Sequence, residues 1–179
     1  RKLNILNSSD VTMVRPKSVE ELFDREEIYD ILVNYARGAD RGDADLIAAA
    51  YHDDAIEDHG GTFYGPASKY VAMLRKILPG AARMSHIVTN INIELDGEKA
   101  YTECYFLTFS RREEVENPYD NLTMARVIDR FERRNGAWKI RGEIAPDPSK
   151  LTRGAKKPND ILYGDWLRDD SPAAHKGGI

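Results

Sequence analysis

The side chains that could do chemistry in this sequence form a small acid–base set. Tyr35 and Asp40 stand five residues apart near the end of a helical pattern. That spacing puts them about one and a half turns apart, on neighbouring faces. His59 sits beside the turn signal Gly60-Gly61, and His86 opens a long alternating stretch. These residue types suit proton transfer. A carboxylate that accepts one imidazole N–H fixes the tautomer and leaves the other nitrogen as a base near neutral pH. A phenol can donate a hydrogen bond to a developing oxyanion or to a departing hydroxyl. Asp129 and Arg126, both in ARVIDRF, have opposite parity, so a regular strand turns at most one of them toward a pocket. Tyr101, Tyr105, Leu107 and Phe109 share a face by alternation. This aromatic stripe could line a substrate pocket, a core or an interface.

Other chemistries lack their residues. His52, Asp53, Asp54 and His59 match no established metal-ligand spacing, so no metal is expected. There is no glycine-rich phosphate loop, no Gly-x-Ser-x-Gly and no Walker pattern, so neither a nucleotide cofactor nor a serine nucleophile is supported. Cys104 is the only cysteine, which excludes an intrachain disulfide. It alternates away from the tyrosine stripe and reads as a small packing residue.

These residues must be positioned by a definite order of elements. Residues 1–22, with Pro16 and scattered Asn, Ser and Asp, read as an extended arm. The segment 24–40 is predicted helical, with Asp24 and Glu27 as a capping box and Ile28, Ile31, Leu32, Tyr35 and Ala39 on one apolar face. Gly42 breaks it, and Asp43 caps a second helix over 44–51. Ala55 to His59 reads as a short strand. Pro66 suits the first position of a third helix, ended by Pro79-Gly80. From residue 84 the period changes to two. Ser85–Leu95, Lys99–Arg111, Asn121–Arg133 and Ala137–Ile144 are predicted strands, with tight turns at Asp96-Gly97 and Asn135-Gly136 and a longer loop at Asn117-Pro118. Three helices followed by an antiparallel meander make an α+β domain over 23–145. The remainder, 146–179, is a proline-broken tail whose apolar island at 161–167 is expected to dock on the body or on a partner subunit.

The chain has 179 residues and a mass of 20.3 kDa, with 41% hydrophobic and 31% charged residues, which fits one globular domain with tails. Net charge is −4 and the basic pairs sit among acids, so no nucleic-acid surface is expected. The longest apolar run, Leu46 to Tyr51, is too short to span a bilayer. The first residues, RKLNILNSSD, hold no apolar signal core, and a soluble cytoplasmic protein is the expectation.

The element order resembles the nuclear-transport-factor-2-like α+β cone. Three phrases, REEIYDILVNYARGADRGD, YHDDAIEDHGGTFYGP and ARVIDRFERRNGAWKIRGEI, resemble its SnoaL-like branch and together anchor residues 24–144. The resemblance implies a strongly curved sheet wrapped round the helices to leave an apolar pocket. In the related bile-acid dehydratase a Tyr and an Asp matching Tyr35 and Asp40 are catalytic. His86 matches the histidine that partners this aspartate in dehydratases and a dehydrochlorinase. His59, or Asp58 if the alignment slips by one, falls near the catalytic Asp of ketosteroid isomerase. Asp129 matches a second oxyanion donor there, and Arg126 could anchor a phenolate or carboxylate.

The function implied is a cofactor-independent lyase on a small aromatic or polycyclic substrate, eliminating water or cleaving a C–C bond. Release of formaldehyde from a lignin-derived diarylpropane is one such reaction. His86 oriented by Asp40 would move the proton, with Tyr35 and His59 as further acid–base groups and Tyr105, Tyr101, Arg126 and Asp129 binding substrate. Two alternatives stand beside it. One is an isomerase or cyclase in the same pocket. The other is a non-catalytic assembly subunit like those of ring-hydroxylating dioxygenases. By resemblance a homo-oligomer, dimer or trimer, is expected.

Overall fold

A computed structural model describes residues 16–59, 62–81, 83–112, 119–142 and 161–162. Helix α1 spans Val19–Arg41 and begins inside the stretch expected to be an extended arm. Ser18 supplies the cap, its side chain accepting from the backbone N–H of Glu21 at 3.2 Å, and Glu20 and Glu21 suit the first turn. Asp24 and Glu27 are therefore inside the helix and serve a different purpose. Asp24 accepts from the indole N–H of Trp138 at 2.9 Å and from Arg133 at 2.7 Å, and Glu27 accepts from the Trp138 backbone N–H at 3.0 Å. They fasten α1 to the far end of the sheet.

Gly42, at φ 71°, ends α1, and Asp43 caps α2 (Ala44–Ala49) through its side chain, which accepts from the N–H groups of Asp45 and Leu46. The α1–α2 corner is tight because Gly38 lies against α2. A Cβ there would stand 2.8 Å from both Asp43 O and Ile47 Cγ1. Strands β1 (Ile56–Asp58) and β2 (Tyr64–Pro66) pair antiparallel. Pro66 closes β2 and occupies the cap position of α3 (Ala67–Ile77), one residue before the place predicted for it. A single 3₁₀ turn, Leu78–Gly80, follows.

The main sheet runs β3 (Met84–Asp96), β4 (Lys99–Arg112), β5 (Tyr119–Arg134) and β6 (Ala137–Ile140) in that order, all neighbours antiparallel. A two-residue strand β7, Ile161–Leu162, pairs with Met124 and Ala125 of β5. Residues 163–167 of the expected docking island lie outside the described residues, as do residues 1–15 of the arm and the rest of the tail. The helices cover one face of the sheet. Ile28 and Leu32 of α1, Ile47 of α2, Phe131 of β5 and Trp138 of β6 are all but fully buried between the layers. The fold is the α+β architecture expected, helices packed on an antiparallel sheet. Among the described residues no helix is long and apolar enough to cross a membrane.

Two features of the sheet decide which side chains meet the helices. First, β3 carries a bulge. Thr89 pairs with Tyr105 and Asn92 with Glu103, so β3 spends three residues where β4 spends two, and Asn90 adopts φ 53°. Before the bulge His86 and Val88 pair with Thr108 and Phe106; after it Ile93 pairs with Thr102, on the same face. Second, β4 and β5 keep strict register, with Thr102 opposite Asp129, Cys104 opposite Val127 and Phe106 opposite Ala125. Thr102, Cys104 and Phe106 are buried, so this is the inner face. By alternation Tyr101, Tyr105, Leu107 and Phe109 take the outer face.

Candidate active site

Between the helices and the inner face of the sheet lies a cavity of about 1000 Å³. Its wall includes Leu32 and Tyr35 from α1, Tyr51, Glu57 and His59 from the β1 region, Tyr70 and Leu74 from α3, His86 from β3, Phe106 from β4 and Asp129 from β5. It is mostly apolar with a few convergent polar groups, the form of a small-molecule site.

His86 and Asp40 meet at one side. His86 Nδ1 lies 2.5 Å from Asp40 Oδ1, and the backbone N–H of His86 donates to both Asp40 oxygens at 2.9 and 3.0 Å. β3 is an edge strand, and this carboxylate at the end of α1 satisfies an N–H that no neighbouring strand takes. The side chains of His86 and Asp40 are only 16% and 24% exposed. With Nδ1 committed to Asp40, the tautomer is set and Nε2 is the nitrogen left for the cavity. The His86 ring meets Phe106 edge-on at 6.2 Å, and Phe106 meets Tyr35 edge-on at 6.1 Å, so the base and the phenol share one aromatic wall.

A second polar group occupies the β1 side. Tyr51 donates its O–H to Glu57 Oε2 at 2.7 Å, and Glu57 Oε1 lies 3.0 Å from His59 Nδ1. Tyr70 O–H lies 3.3 Å from His59 Nδ1 and 3.3 Å from the Tyr35 hydroxyl. Burial pushes the Tyr35 and Tyr51 phenols well above their ordinary range, helped by neighbouring phenols and the Glu57 charge. Burial likewise pushes Tyr70 up to about 12. All three are therefore neutral donors at any pH the protein meets. β1 can sit here because Gly142, at φ 73°, has no side chain: a Cβ would lie 1.7 Å from the Ile56 carbonyl oxygen.

Asp129 faces the cavity from β5, opposite Thr102. Burial, and then the Glu57 charge, lift its carboxyl to about 7. Arg126 borders the cavity, but alternation turns its guanidinium to the outer face, where Nε lies 2.9 Å from Glu103 Oε1. Its charge is already matched, which removes the expected role as an anion anchor inside the cavity. Tyr101 and Tyr105 do not line the cavity either. They share the outer face with Arg126, and Tyr101 packs on Ile128 there. Alternation alone could group the stripe but could not say which face met the helices. His59, just past the end of β1, reaches the cavity with Glu57, two residues back; Asp58 borders the cavity too.

Three wall residues escaped the sequence reading: Glu57, Tyr51 and Tyr70. The spacing of Glu57 and His59 was a usable signal, since positions i and i+2 of a strand share a face. His52 and Asp54 are engaged elsewhere, His52 Nε2 2.8 Å from the Glu132 carbonyl oxygen and Asp54 with Arg134 at 2.8 Å. Among the described residues no group of three His, Cys, Asp or Glu side chains is placed to hold a metal ion.

Residues 20–142 match the family model of the SnoaL-like domain. The chain belongs to this family. A search of curated proteins finds no match. Solved structures share the SnoaL-like fold. A scytalone-dehydratase-like protein of Novosphingobium aromaticivorans aligns at TM-score 0.60 and 20% identity, over 67% of this chain and 80% of that one. The hexachlorocyclohexane dehydrochlorinase LinA-type3 of Novosphingobium barchaimii aligns at TM-score 0.60 and 21% identity, over 68% and 84%. A dehydratase-like member of the NTF2-like family from Streptomyces avermitilis aligns at TM-score 0.54 and 14% identity, over 66% and 91%. At these identities the likeness is one of fold.

Proposed function

We propose that this SnoaL-like chain is a cofactor-independent lyase that uses His86 and Asp40 for acid–base catalysis on a small aromatic or polycyclic substrate. One observation carries the reading: an imidazole held by a carboxylate through Nδ1, in the wall of an open cavity of about 1000 Å³. That volume accepts a substrate of two rings. His86 Nε2 takes the proton, and Asp40 stabilises the imidazolium that forms. Tyr35, held neutral, donates to the oxygen that gains charge or departs. The aromatic wall keeps bulk water from the reacting atoms. The names of the dehydratase-like and dehydrochlorinase neighbours describe eliminations, and eliminations need these same parts.

The finer proposal is loss of water or a retro-aldol-type C–C cleavage. A 1,2-diarylpropane-1,3-diol that loses water and formaldehyde leaves a stilbene, with atoms balanced and no net oxidation. The test is a panel of hydroxylated aromatics and phenolic diarylpropane-diols, scored for dehydrated product and for formaldehyde, with wild type and His86→Ala. Turnover by wild type that falls at least about 100-fold in the variant supports the reading. A variant that keeps wild-type turnover refutes it.

One observation favours the isomerase reading instead. Asp129, lifted to about 7, keeps a proton over part of the neutral range and could donate to an enolate oxygen. In that case Asp129→Asn would disable turnover more than His86→Ala. A cone filled by side chains, as an assembly subunit would have, is opposed by the cavity itself. Self-association as a dimer or trimer is proposed from the outer sheet face, where Ile87 and Phe109 are 49% and 47% exposed. Sedimentation analysis would decide it, and a monomer at micromolar concentration would refute it.

A further inference from the structure

We infer that Glu57 and His59 form a second imidazole–carboxylate pair, which acts as the general acid facing the His86–Asp40 base. The inference rests on the lyase reading and adds a residue, Glu57, in the role of positioning His59.

The two pairs are built alike from unrelated pieces of chain. In each, Nδ1 of the ring meets one carboxylate oxygen, at 2.5 Å for His86 and 3.0 Å for His59. In each, therefore, Nε2 is the nitrogen free to serve the cavity that both rings line. A single pair gives a base and leaves the departing group to water or a phenol. Two pairs allow one ring to take a proton while the other gives one, as elimination of a hydroxyl requires.

The geometry around His59 is that of a held group. Its backbone N–H donates to the Phe63 carbonyl at 2.8 Å, and its own carbonyl accepts from the Thr62 hydroxyl at 2.6 Å. Its ring lies 5.1 Å from that of Tyr70, tilted by 30°. The Glu57 side chain is 13% exposed and spends its other oxygen on the Tyr51 O–H at 2.7 Å, so the carboxylate cannot swing away without breaking that bond. His59 itself is 47% exposed, which lets its proton be replaced from solvent between turnovers. The titratable groups that share the cavity wall with His59 are Glu57 and Asp58 on β1, Tyr51 just before it, Tyr70 on α3, Tyr35 on α1, His86 on β3 and Asp129 on β5. Tyr35, Tyr51 and Tyr70 stay neutral, so the charge in hydrogen-bond contact with the ring is that of Glu57, with Arg83 and Arg111 also on the cavity wall.

The reaction balances within this set. His86 Nε2 takes the proton from substrate carbon or hydroxyl. The electron pair forms the new double bond, or breaks the C–C bond. The C–O bond to the departing hydroxyl breaks, and His59, entering as the imidazolium with its Nδ1–H on Glu57, supplies from Nε2 the proton that makes it water, which leaves the neutral Nδ1–H ring. His59 regains its proton from solvent and His86 releases its own.

The test has one arm that needs no substrate. In the full chain, ¹⁵N imidazole spectra report the tautomer of each ring. At a pH where the ring is neutral, wild-type His59 is expected in the Nδ1–H form. Glu57→Ala and Glu57→Met, the second chosen to keep volume without an acceptor, should both shift His59 toward the Nε2–H form and leave His86 unmoved. An unchanged His59 in the variant that folds overturns the pairing. The second arm is turnover of a phenolic 1,2-diarylpropane-1,3-diol. His59→Gln and Glu57→Met should each lower kcat about 100-fold with little change in KM, the double variant should fall no further, and Glu57→Asp should recover part of the loss. Loss of turnover in His86→Ala with wild-type kcat in His59→Gln would overturn the inference and leave the lyase reading standing. Wild-type turnover in His86→Ala, or none by wild type on the diol or the wider panel, would overturn the lyase reading and the catalytic role of His59 with it.

Discussion

Removing the Asp40 carboxylate should cost fold and chemistry together, and by different amounts than removing the His86 ring. In Asp40→Ala two donors lose their acceptor. The first is the His86 backbone N–H, now bonded at 2.9 and 3.0 Å. Left unpaired at a partly buried edge strand, it costs about 1–3 kcal/mol. The second is the ring N–H, a charge-assisted contact at 2.5 Å. That bond contributes roughly 1–2 kcal/mol once partial exposure is allowed for. The sum is roughly 3 kcal/mol, which for a domain of this size lowers Tm by about 10 °C. His86→Ala removes only the ring bond and a little packing, so its loss should be near half of that. Both variants should lower kcat/KM by about 10² to 10⁴. Thermal melts by circular dichroism, paired with the diol assay, read the two effects. If Asp40→Ala melts within about 2 °C of wild type, the carboxylate does not hold the strand as argued. If His86→Ala proves less stable than Asp40→Ala, the division of labour between the two bonds is wrong.

Other outcomes follow from the same geometry. The carboxyl of Asp129 is raised from 3.8 to about 7 in the folded protein, so its contribution to stability is complete below pH 3.8 and is lost as pH rises through 7. Asp129→Asn should therefore melt like wild type near pH 4 and higher than wild type at pH 8, by on the order of 2–4 kcal/mol; an equal gap at both pH values would refute the shift. Gly38→Ala should destabilise by about 2 kcal/mol and reduce turnover, because the new Cβ would press on Asp43 O and Ile47 Cγ1 two residues before Asp40. Wild-type melting of that variant would show that the α1–α2 corner has slack. Trp138→Phe should cost about 3 kcal/mol, from the lost bond to Asp24 and the space left at a side chain 1% exposed, measured by urea unfolding. A loss under 1 kcal/mol would contradict the fastening role given to Trp138.

Much of the fold was legible because its signals were local. The helical stripe of Ile28 and Leu32, the Asp43 cap and the Asp96-Gly97 turn each depend on a few neighbouring residues, and each appears where expected. The start of α1 was not legible for a physical reason. Asp24 and Glu27 have the letters of a capping box, but their partners are Trp138 and Arg133, more than a hundred residues away. The joining of His86 to Asp40 was anticipated through resemblance; nothing in either segment alone requires it. Glu57 was overlooked because it reads as one more acid beside Asp58. Only the Tyr51 hydroxyl and the His59 ring, brought to it by the turn after α2 and by the β1–β2 pairing, single it out. Tyr101 and Tyr105 were correctly grouped and assigned to the wrong side. Alternation fixes relative parity, and absolute sidedness comes from which face the helices cover.

The extra residue at Asn90 acts as a phase joint in β3. The four or five residues before it present His86 to the cavity, while those after it present Ile93 to the core, and the two halves are indexed separately. If instead the bulge were ironed out, with Asn90 drawn into the ladder, no residue lost and the Asp96–Lys99 closure retained, the early half would slip by one position against β4. His86 would then face outward and Ser85 or Ile87 would take its place on the cavity wall. The composition would not change and the hairpin would survive, yet the basic nitrogen would be gone from the chamber. A lineage could in this way pass between a reactive cone and an inert one by a change of register, with every catalytic letter still present in its sequence.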